Sequence, residues 1–321
     1  MSGKKQKFVH KLRFGVISVP NVEDVLVFRG EKMKRALGID IGGTKIAAGI
    51  VSESGELLRR VEVESEPADR ERMFKQVAIA AEQALKGTSL SDLAGIGVGV
   101  PGKVDRENGI AIFQNNLPWQ QFPLTARLQK HFGIKSITLD NDVYMAAFAE
   151  WKTGQGRTNE TFVYVTISTG IACSIIHHGD FIRGAGFAGE LGLIPVLSKM
   201  GNERLETISA GPGIQKIAGI PTKDVFSGYI NGSEEFQSII GEMANHLAQG
   251  LYSISSLLDP HRMVFGGSVI VNNPFLLDLV KEKLKIYQLP EQQHLLDMMS
   301  ISTLTYNNGV IGAGLRVFED I

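Results

Sequence analysis

The sequence predicts an α/β protein, because segments of two different periodicities alternate along it. Short apolar segments of strand length are separated by longer segments in which apolar residues recur at helical spacing. Four of the apolar strands run into small turns that contain glycine. With 321 residues, of which 43% are hydrophobic, the chain can bury a large core, and we expect two domains.

The elements of the first half follow from these patterns. Residues 37–51 predict a strand, a tight polar turn and a second strand. Gly87 and Gly154 stand where two predicted helices should end, because glycine is common just after a helix C-terminus. We predict further strands at Val61–Glu66, Leu93–Val100 and Ser136–Leu139, and helices at Arg72–Leu85 and from Val143 to about Lys152.

The second half repeats the opening pattern. Strands at Phe162–Thr166 and Ile171–Ile176 flank the turn Ser168-Thr169-Gly170, and this similarity to the opening hairpin suggests an internal duplication of one α/β unit. A last helix with three glycines is expected to pack closely against its neighbours. The other predictions are a long amphipathic helix at Glu234–Leu258, a strand at Arg262–Phe265 and that last helix at Asn308–Val317.

Composition and charge exclude several classes of protein. The formal net charge is -1 and the pI is about 6.7, which gives no general attraction for nucleic acid or for an anionic membrane. The single cysteine, Cys173, excludes an intramolecular disulfide and fits a reducing, cytoplasmic location. No apolar run is long enough to span a bilayer. Residues 1–33 make a poor signal peptide, and we treat them as an N-terminal extension of unknown role.

The opening turn carries groups that suit a phosphate. The adjacent Gly42 and Gly43 let the backbone approach a ligand closely, while Thr44 and Lys45 add a hydroxyl and a cation. Asp40 precedes the turn and is placed to hold a hydrated Mg²⁺. The turn alone is equally consistent with an ordinary hairpin, since Gly-Gly is a common hairpin signal.

Asp142 lies between a predicted strand and the start of a predicted helix. In α/β sheets ligands bind beyond the carboxyl ends of strands, which is where this residue and the glycine turns fall. One interpretation is a general base that takes the proton of a substrate hydroxyl as it attacks a γ-phosphate. The other is a simple helix N-cap, a position at which Asp is favoured.

Other motifs are excluded. The string Gly97-x-Gly99-x-x-Gly102 matches a dinucleotide-binding pattern, but Pro101 interrupts it and no amphipathic helix follows. The sequence has no P-loop string, no protein-kinase signature set and no nucleophile elbow. The pair His177-His178 has no further metal ligand at suitable spacing, so we expect solvated side chains in a surface hairpin.

Taken in order, these motifs resemble those of the ROK family (repressors, open reading frames and kinases), which includes sugar kinases within the actin-like ATPase superfamily. The resemblance covers nearly everything from Lys34 to the C-terminus. Asp40-Ile41-Gly42-Gly43-Thr44-Lys45 is similar to the first phosphate motif, Ser168-Thr169-Gly170 to the second, and Gly266-Gly267 to the adenosine motif.

The remaining motifs resemble the family's sugar-binding segments. In Asn115-Asn116-Leu117-Pro118-Trp119, which is similar to the sugar-binding loop, Asn116 would contact a hydroxyl. Asn141-Asp142 resembles the pair in which the Asn binds sugar and the Asp is the catalytic base. Gly189-Glu190-Leu191-Gly192 and Leu205-Glu206 resemble two segments that each supply a sugar-binding Glu.

The resemblance implies a fold, a reaction and partners. The fold is two actin-like, ribonuclease H-like α/β domains around a central cleft, with a small domain at residues 34–139 and 302–321 and a large one at residues 140–301. The reaction is ATP-dependent, Mg²⁺-assisted phosphorylation of a hexose or N-acetylhexosamine, usually at the 6-hydroxyl. The family often forms homodimers.

The chain departs from the family pattern at the zinc site. Most members have a His after the Gly-Glu-(Ile/Leu)-Gly segment and then three cysteines. Here Leu193 replaces the His, and Leu197, Lys199 and Arg204 occupy the cysteine positions. Because aliphatic and cationic side chains cannot replace imidazole and thiolate ligands, we expect no structural zinc. The missing His also leaves the choice of sugar open.

The second phosphate motif differs too, since Ala172, Cys173 and Ser174 stand where the family usually has glycine. Side chains at a turn that a nucleotide approaches closely would weaken ATP binding. Two alternatives to an active kinase therefore stay open: a catalytically weak sugar-binding protein and a sugar-responsive transcriptional regulator. The regulator is disfavoured because too few residues precede Asp40 for a DNA-binding winged helix.

Overall fold

Two five-stranded sheets frame the protein in the computed structural model, which describes residues 33–114 and 116–319. The predicted N-terminal extension, apart from Met33, lies outside these residues, as do Asn115 of the predicted sugar-binding loop and residues 320–321 of the predicted small domain. The two sheets belong to one compact unit, Lys34–Ile321. The boundaries predicted between the two domains stay a prediction.

Strands and helices alternate along most of this unit, as the sequence predicts. The strands are β1 (Arg35–Ile41), β2 (Lys45–Ser52), β3 (Leu57–Glu64), β4 (Leu93–Val100), β5 (Lys103–Asp105), β6 (Ile110–Phe113), β7 (Gln120–Phe122), β8 (Ile137–Asn141), β9 (Thr161–Ile167), β10 (Ile171–His177), β11 (Asp180–Phe181), β12 (Pro195–Ser198), β13 (Gly201–Arg204), β14 (Arg262–Gly266) and β15 (Met299–Ile301). The α-helices are α1 (Arg70–Leu85), α2 (Leu124–Phe132), α3 (Asp142–Glu150), α4 (Leu205–Ser209), α5 (Gly211–Ala218), α6 (Thr222–Ile230), α7 (Glu234–Leu258), α8 (Ser268–Asn272), α9 (Phe275–Tyr287), α10 (His294–Asp297) and α11 (Asn308–Arg316).

The two large sheets have the same topology. The first has the strand order β3-β2-β1-β4-β8 and the second the order β11-β10-β9-β14-β15. In each sheet the first three strands pair with one another in antiparallel fashion, and the last two run parallel to the central strand. This equivalence supports the internal duplication that the two similar glycine turns suggest.

Each large sheet has its own apolar core. In the first core, alternate residues of β1 and β4 pack with α1, and in the second, residues of β9 and β14 pack with the long helix α7. Fully buried members are Leu37, Ile39, Ile96, Val98 and Met73 in the first core, and Val163, Val165, Met263, Phe265 and Ile240 in the second. Burial of so many aliphatic side chains is the main favourable contribution to folding.

Helix α11 packs against the first sheet and α3 with backbone almost touching backbone. A Cβ added at Gly38 would lie 2.0 Å from Val310 O, and one added at Gly97 would lie 1.7 Å from Ala313 O. On the opposite side, a Cβ at Gly312 would lie 1.7 Å from the carbonyl oxygen of Met145 in α3. The close packing predicted from the glycines of this helix is therefore confirmed.

Some predicted boundaries differ from the observed ones for local reasons. Helix α1 begins at Arg70 because the side chain of Asp69 caps it, accepting from the N–H groups of Glu71 and Arg72 at 2.9 and 2.8 Å. Strand β3 begins at Leu57, earlier than the predicted Val61. Its apolar pattern is weak, because this edge strand is largely exposed and carries charged residues. Among the residues described, we find no helix long and apolar enough to cross a membrane.

Candidate active site

A cavity of about 570 Å³ opens between the end of β8 and the first turn of the second sheet. It brings together every residue predicted to bind sugar and the whole of the second predicted phosphate turn. The members are Asn116, Asn141, Asp142, Glu190 and Glu206 from the first set, and Ser168, Thr169 and Gly170 from the second. These residues are far apart in the sequence and share one site only because the chain folds back on itself.

Asp142 is the first residue of α3, and the N-cap is Asn141. The Oδ1 atom of Asn141 accepts from the N–H groups of Val143 and Tyr144 at 2.9 and 3.4 Å. The interpretation of Asp142 as the capping residue is therefore wrong. Its own Oδ1 accepts from Val143 N at 2.9 Å. Burial raises the pKa of Asp142 to about 6, and the charge of Glu190 adds to this.

Asp40 is the next-to-last residue of β1 and faces a close approach of α11. A Cβ added at Gly309 would lie 2.3 Å from Asp40 Oδ2. Burial, and then the charge of Asp142, raise the pKa of Asp40 to about 7. Carboxylate oxygens suit a divalent cation, and the charge of Asp142 reaches Asp40, so the residues present fit the predicted Mg²⁺. In the described part of the chain, no group of three or more His, Cys, Asp or Glu side chains is arranged to hold a metal ion by itself.

The first predicted phosphate turn is held by a residue that sequence reasoning missed. Ser65 donates its hydroxyl to Gly42 O at 2.6 Å and its N–H to Thr44 O at 2.9 Å. Lys45 begins β2, and its ammonium pairs with Glu62 at 2.5 Å, on the neighbouring strand β3. Phosphate binding by Lys45 stays a prediction, and it would require this ion pair to open.

The same turn lies against the predicted sugar-binding loop. A Cβ at Gly43 would lie 2.9 Å from the Nδ2 atom of Asn116. Only glycine therefore leaves room for this amide beside the turn. This contact places a residue of the predicted phosphate-binding turn next to a residue of the predicted sugar-binding loop.

The second turn is held by Glu206. The Oε2 atom of Glu206 accepts from Ile171 N at 2.9 Å, and a Cβ at Gly170 would lie 2.6 Å from the same oxygen. Ala172, Cys173 and Ser174 lie within β10, beyond the turn. The effect of these side chains on ATP binding stays a prediction, since Ala172 and Cys173 line the same cavity as the turn Ser168–Gly170.

A second cavity of about 650 Å³ adjoins the second turn and shares Ser168 and Thr169 with the first. It is lined by Gly211 of α5, Thr222 of α6 and Ser268 of α8, which are residues that the motifs did not include. Of the predicted adenosine residues, Gly266 ends β14 and Gly267 is the N-cap of α8, which begins at Ser268. Gly211 and Pro212 of the string Gly211-Pro212-Gly213 line this cavity, so that string is a sequence signal that could have indicated it.

Glu190 follows a glycine-rich loop and opens onto the first cavity. Partial burial, and then the charge of Glu206, raise its pKa. The loop is held at its end by the N–H of Cys173, which donates to Gly189 O at 2.7 Å. Two carboxylates with raised pKa values, Asp142 and Glu190, thus line the first cavity, as is common where charged ligands react.

The segment that holds zinc in most ROK proteins has a different composition here. Leu193 ends a one-turn 3₁₀ helix, Leu197 lies in β12 and Arg204 in β13. Lys199, in the turn between these strands, pairs with Glu242 at 3.2 Å. None of the four side chains is a zinc ligand, and the absence of zinc stays a prediction.

The predicted surface hairpin at the histidine pair is confirmed. His177 ends β10 and His178 lies in the following turn with φ of +53°, and both side chains are exposed. The structure agrees with the rejection of the dinucleotide-binding string. Gly97 and Gly99 lie in β4, which leads into strand β5 instead of a helix.

Comparison with known proteins identifies the family. The sequence model of the ROK family matches residues 36–318. This chain belongs to the ROK family. It is 30% identical to a glucokinase of Halalkalibacterium halodurans over 88% of this chain and 94% of that protein.

Two solved structures have the same fold. The ROK hexokinase of Thermus thermophilus aligns with a TM-score of 0.74 at 29% identity, over 89% of this chain and 98% of that one. A ROK glucokinase of Streptomyces griseus, solved with glucose and AMPPNP, aligns with a TM-score of 0.74 at 25% identity, over 87% and 97%. The present protein therefore has the two-lobed α/β fold of these sugar kinases. Its relatives support sugar kinase activity with ATP.

Proposed function

We propose that this ROK protein uses ATP to phosphorylate a hexose or N-acetylhexosamine at the 6-hydroxyl, with Asp142 as the general base. The observation that carries the proposal is the shared cavity. Asp142, the two glutamates and the second phosphate turn all line it. A sugar hydroxyl bound there would lie between a base and a phosphoryl donor, which is the arrangement that phosphoryl transfer requires.

The electrostatics of Asp142 suit the role of a base. With a pKa of about 6, the carboxylate is mostly ionised at neutral pH and still accepts a proton readily. Its Oδ1 is occupied by Val143 N, so Oδ2 is the atom that takes the proton of the sugar hydroxyl. The proton moves as the hydroxyl oxygen attacks the γ-phosphate and the bond to ADP breaks.

The other residues divide between sugar and nucleotide. Asn116, Glu190 and Glu206 hydrogen-bond sugar hydroxyls. Asn141 contributes only its amide N–H, because its oxygen caps α3 and one N–H already reaches Gly102 O at 3.0 Å. The turns at Gly42, Gly43 and Thr44 and at Ser168–Gly170 bind phosphates, and the second cavity, beside Gly266 and Gly267, holds the nucleoside. Mg²⁺, held through water by Asp40, supplies charge neutralisation at the phosphates.

Two alternatives follow from the family itself. A catalytically weak sugar-binding protein, or a regulator without a DNA-binding domain, would bind sugar with little or no turnover. The single cavity that Asp142 shares with the second phosphate turn favours the kinase. We also propose a homodimer in the cytoplasm, as the family resemblance and the single cysteine suggest.

The deciding experiment is an ATP-consumption assay with a panel of hexoses and N-acetylhexosamines. We expect one sugar to support turnover, and Asp142→Asn to lower kcat by roughly two to four orders of magnitude while largely sparing sugar affinity. Asp180→Asn, which changes an exposed carboxylate on β11, is the matched control and should leave kcat unchanged. Unchanged turnover in Asp142→Asn would refute the general base. A sugar that raises the Tm without ATP consumption would favour the sugar-binding alternatives.

A further inference from the structure

We propose that Arg183 is a positioning residue for the sugar, because it ties the strand end that carries Asn141 and Asp142 to the glycine-rich loop that carries Glu190. The proposal rests on the sugar kinase function proposed above and adds to it a device that sets the geometry of the sugar site. None of the sequence motifs includes Arg183 or its partner Asp140. Both residues line the first cavity.

The first contact is a two-pronged ion pair with the end of β8. Arg183 donates from Nη1 to Asp140 Oδ1 at 3.0 Å and from Nη2 to Asp140 Oδ2 at 2.6 Å. The side chain of Asp140 is only 2% exposed, and its Oδ1 also accepts from Asn141 N at 2.8 Å. The guanidinium therefore binds the carboxylate of the residue that immediately precedes Asn141 and Asp142.

The second contact joins the same region to helix α3. Tyr144 lies two residues after Asp142, and the Arg183 guanidinium sits 4.5 Å from the centre of its ring. The Tyr144 hydroxyl is 3.3 Å from Ile182 O and 3.2 Å from Ala188 O, at the two ends of the loop. Helix α3 thus holds both ends of the loop through a residue one half-turn from the base.

The loop needs such contacts because its backbone is otherwise free to adopt many conformations. Residues 184–189 form no strand or helix, and Gly184, Gly186 and Gly189 have φ values of +55°, +104° and +95°. Glycines lose much conformational entropy when a loop is ordered, so a loop of this composition is positioned by what it touches. The position of this loop therefore sets the position of Glu190, the residue that follows it.

The fold can survive loss of the Arg183 contact, because Asp140 has a second cation. Arg106, in the turn between β5 and β6, has its Nε 3.3 Å from Asp140 Oδ2. Removal of Arg183 therefore leaves the buried carboxylate paired, and the expected defect is a displaced loop and not an unfolded protein. The loop borders the sugar side of the site, while the nucleoside cavity is lined by other residues.

The test compares Arg183→Met, Asp140→Asn and the double variant, with Arg157→Met as the control. The side chain of Arg157 is 71% exposed, and its ion pair with Glu160 is long, at 3.7 Å. We expect Arg183→Met to raise the KM for the sugar roughly ten- to hundredfold and to leave the KM for ATP within about twofold. Arg183→Lys should recover only part of the loss, since an ammonium cannot grip both oxygens.

Asp140→Asn separates a positioning role from direct contact with the sugar. Its buried side chain keeps the acceptor for Asn141 N but loses the ion pair, so it should raise the sugar KM in the same way, and the double variant should be no worse than the poorer single variant. An unchanged sugar KM in Asp140→Asn, or equal effects on the KM values of sugar and ATP, would overturn the positioning role while leaving the kinase intact. If the wild-type protein phosphorylates no sugar, the proposed function fails and this proposal fails with it.

Discussion

Asp40, near the end of the central strand of the first sheet, is coupled to Asp142: burial, and then the charge of Asp142, raise the pKa of Asp40. The predicted base and the predicted Mg²⁺ carboxylate therefore interact electrostatically before any ligand binds. Burial acts on both groups in the same direction and raises their pKa values to about 6 and about 7. A bound cation would reduce the repulsion between the two carboxylates.

This relationship predicts the pH dependence of the reaction. A base must be ionised, so kcat/KM for the sugar should fall about tenfold per pH unit once the pH drops below the pKa of about 6. A bound cation stabilises the ionised carboxylates, so the acid limb of kcat with saturating Mg-ATP should lie at lower pH than that of kcat/KM. The measurement is a pair of pH profiles between pH 5 and 9. A kcat/KM that stays level down to pH 5 would contradict the ionisation assigned to Asp142.

Glu150 predicts an effect of pH on stability. Its side chain is fully buried at the end of α3, accepts from the Ser302 hydroxyl, and has an Oε2 atom without a hydrogen-bond partner among the described residues. Burial raises its pKa, so the folded state disfavours the charged form, and stability is lost as the pH rises above the ordinary value of 4.5.

Glu150→Gln removes this penalty and should therefore gain stability relative to the wild type as the pH rises. We expect the Tm of the variant minus that of the wild type to increase as the pH rises above 4.5, and to level off once Glu150 is ionised in the folded wild type. Glu282→Gln, at an exposed position of α9, is the control and should show no such trend. A difference that is constant with pH would show that Glu150 is ionised in the folded protein.

The packing of α11 predicts which glycines tolerate a methyl group. In Gly312→Ala the new Cβ would meet the backbone oxygen of Met145 at 1.7 Å, and α3 and α11 would have to separate. We expect a loss of about 2 kcal/mol or more in the free energy of unfolding, measured by denaturant titration. Gly241→Ala, within α7, has open space around its Cβ and should be neutral or gain up to about 1 kcal/mol. Equal stabilities of the two variants would show that the helices can move apart freely.

The composition of the β12–β13 segment predicts that zinc has no structural role. Metal analysis of the purified protein should find no stoichiometric zinc, and dialysis against a chelator should leave the Tm unchanged. The reason is that Leu193, Leu197, Lys199 and Arg204 offer neither thiolate nor imidazole. About one zinc per chain would refute this prediction and point to ligands elsewhere in the protein.

The elements that the sequence predicts best are those with strong periodicity. Helix α7 and strand β4 begin and end where predicted, at Glu234–Leu258 and Leu93–Val100, because one apolar stripe or one apolar run defines each of them. The predicted start of β3, Val61, lies after the observed start, Leu57, since an edge strand with one solvated face has a weak apolar signal. Short elements such as β11 and α10 carry too few residues for any periodicity to register.

The candidate site divides in the same way. The sequence by itself determined the α/β class, the order of the phosphate and sugar motifs and the family, because local periodicity and short motifs need only neighbouring residues. Tertiary structure alone decided the side-chain partners. It assigned the N-cap to Asn141 and left Asp142 facing the cavity. It paired Lys45 with Glu62 across 17 residues and Arg183 with Asp140 across 43. Such partners meet only after the chain has folded, so no local pattern encodes them.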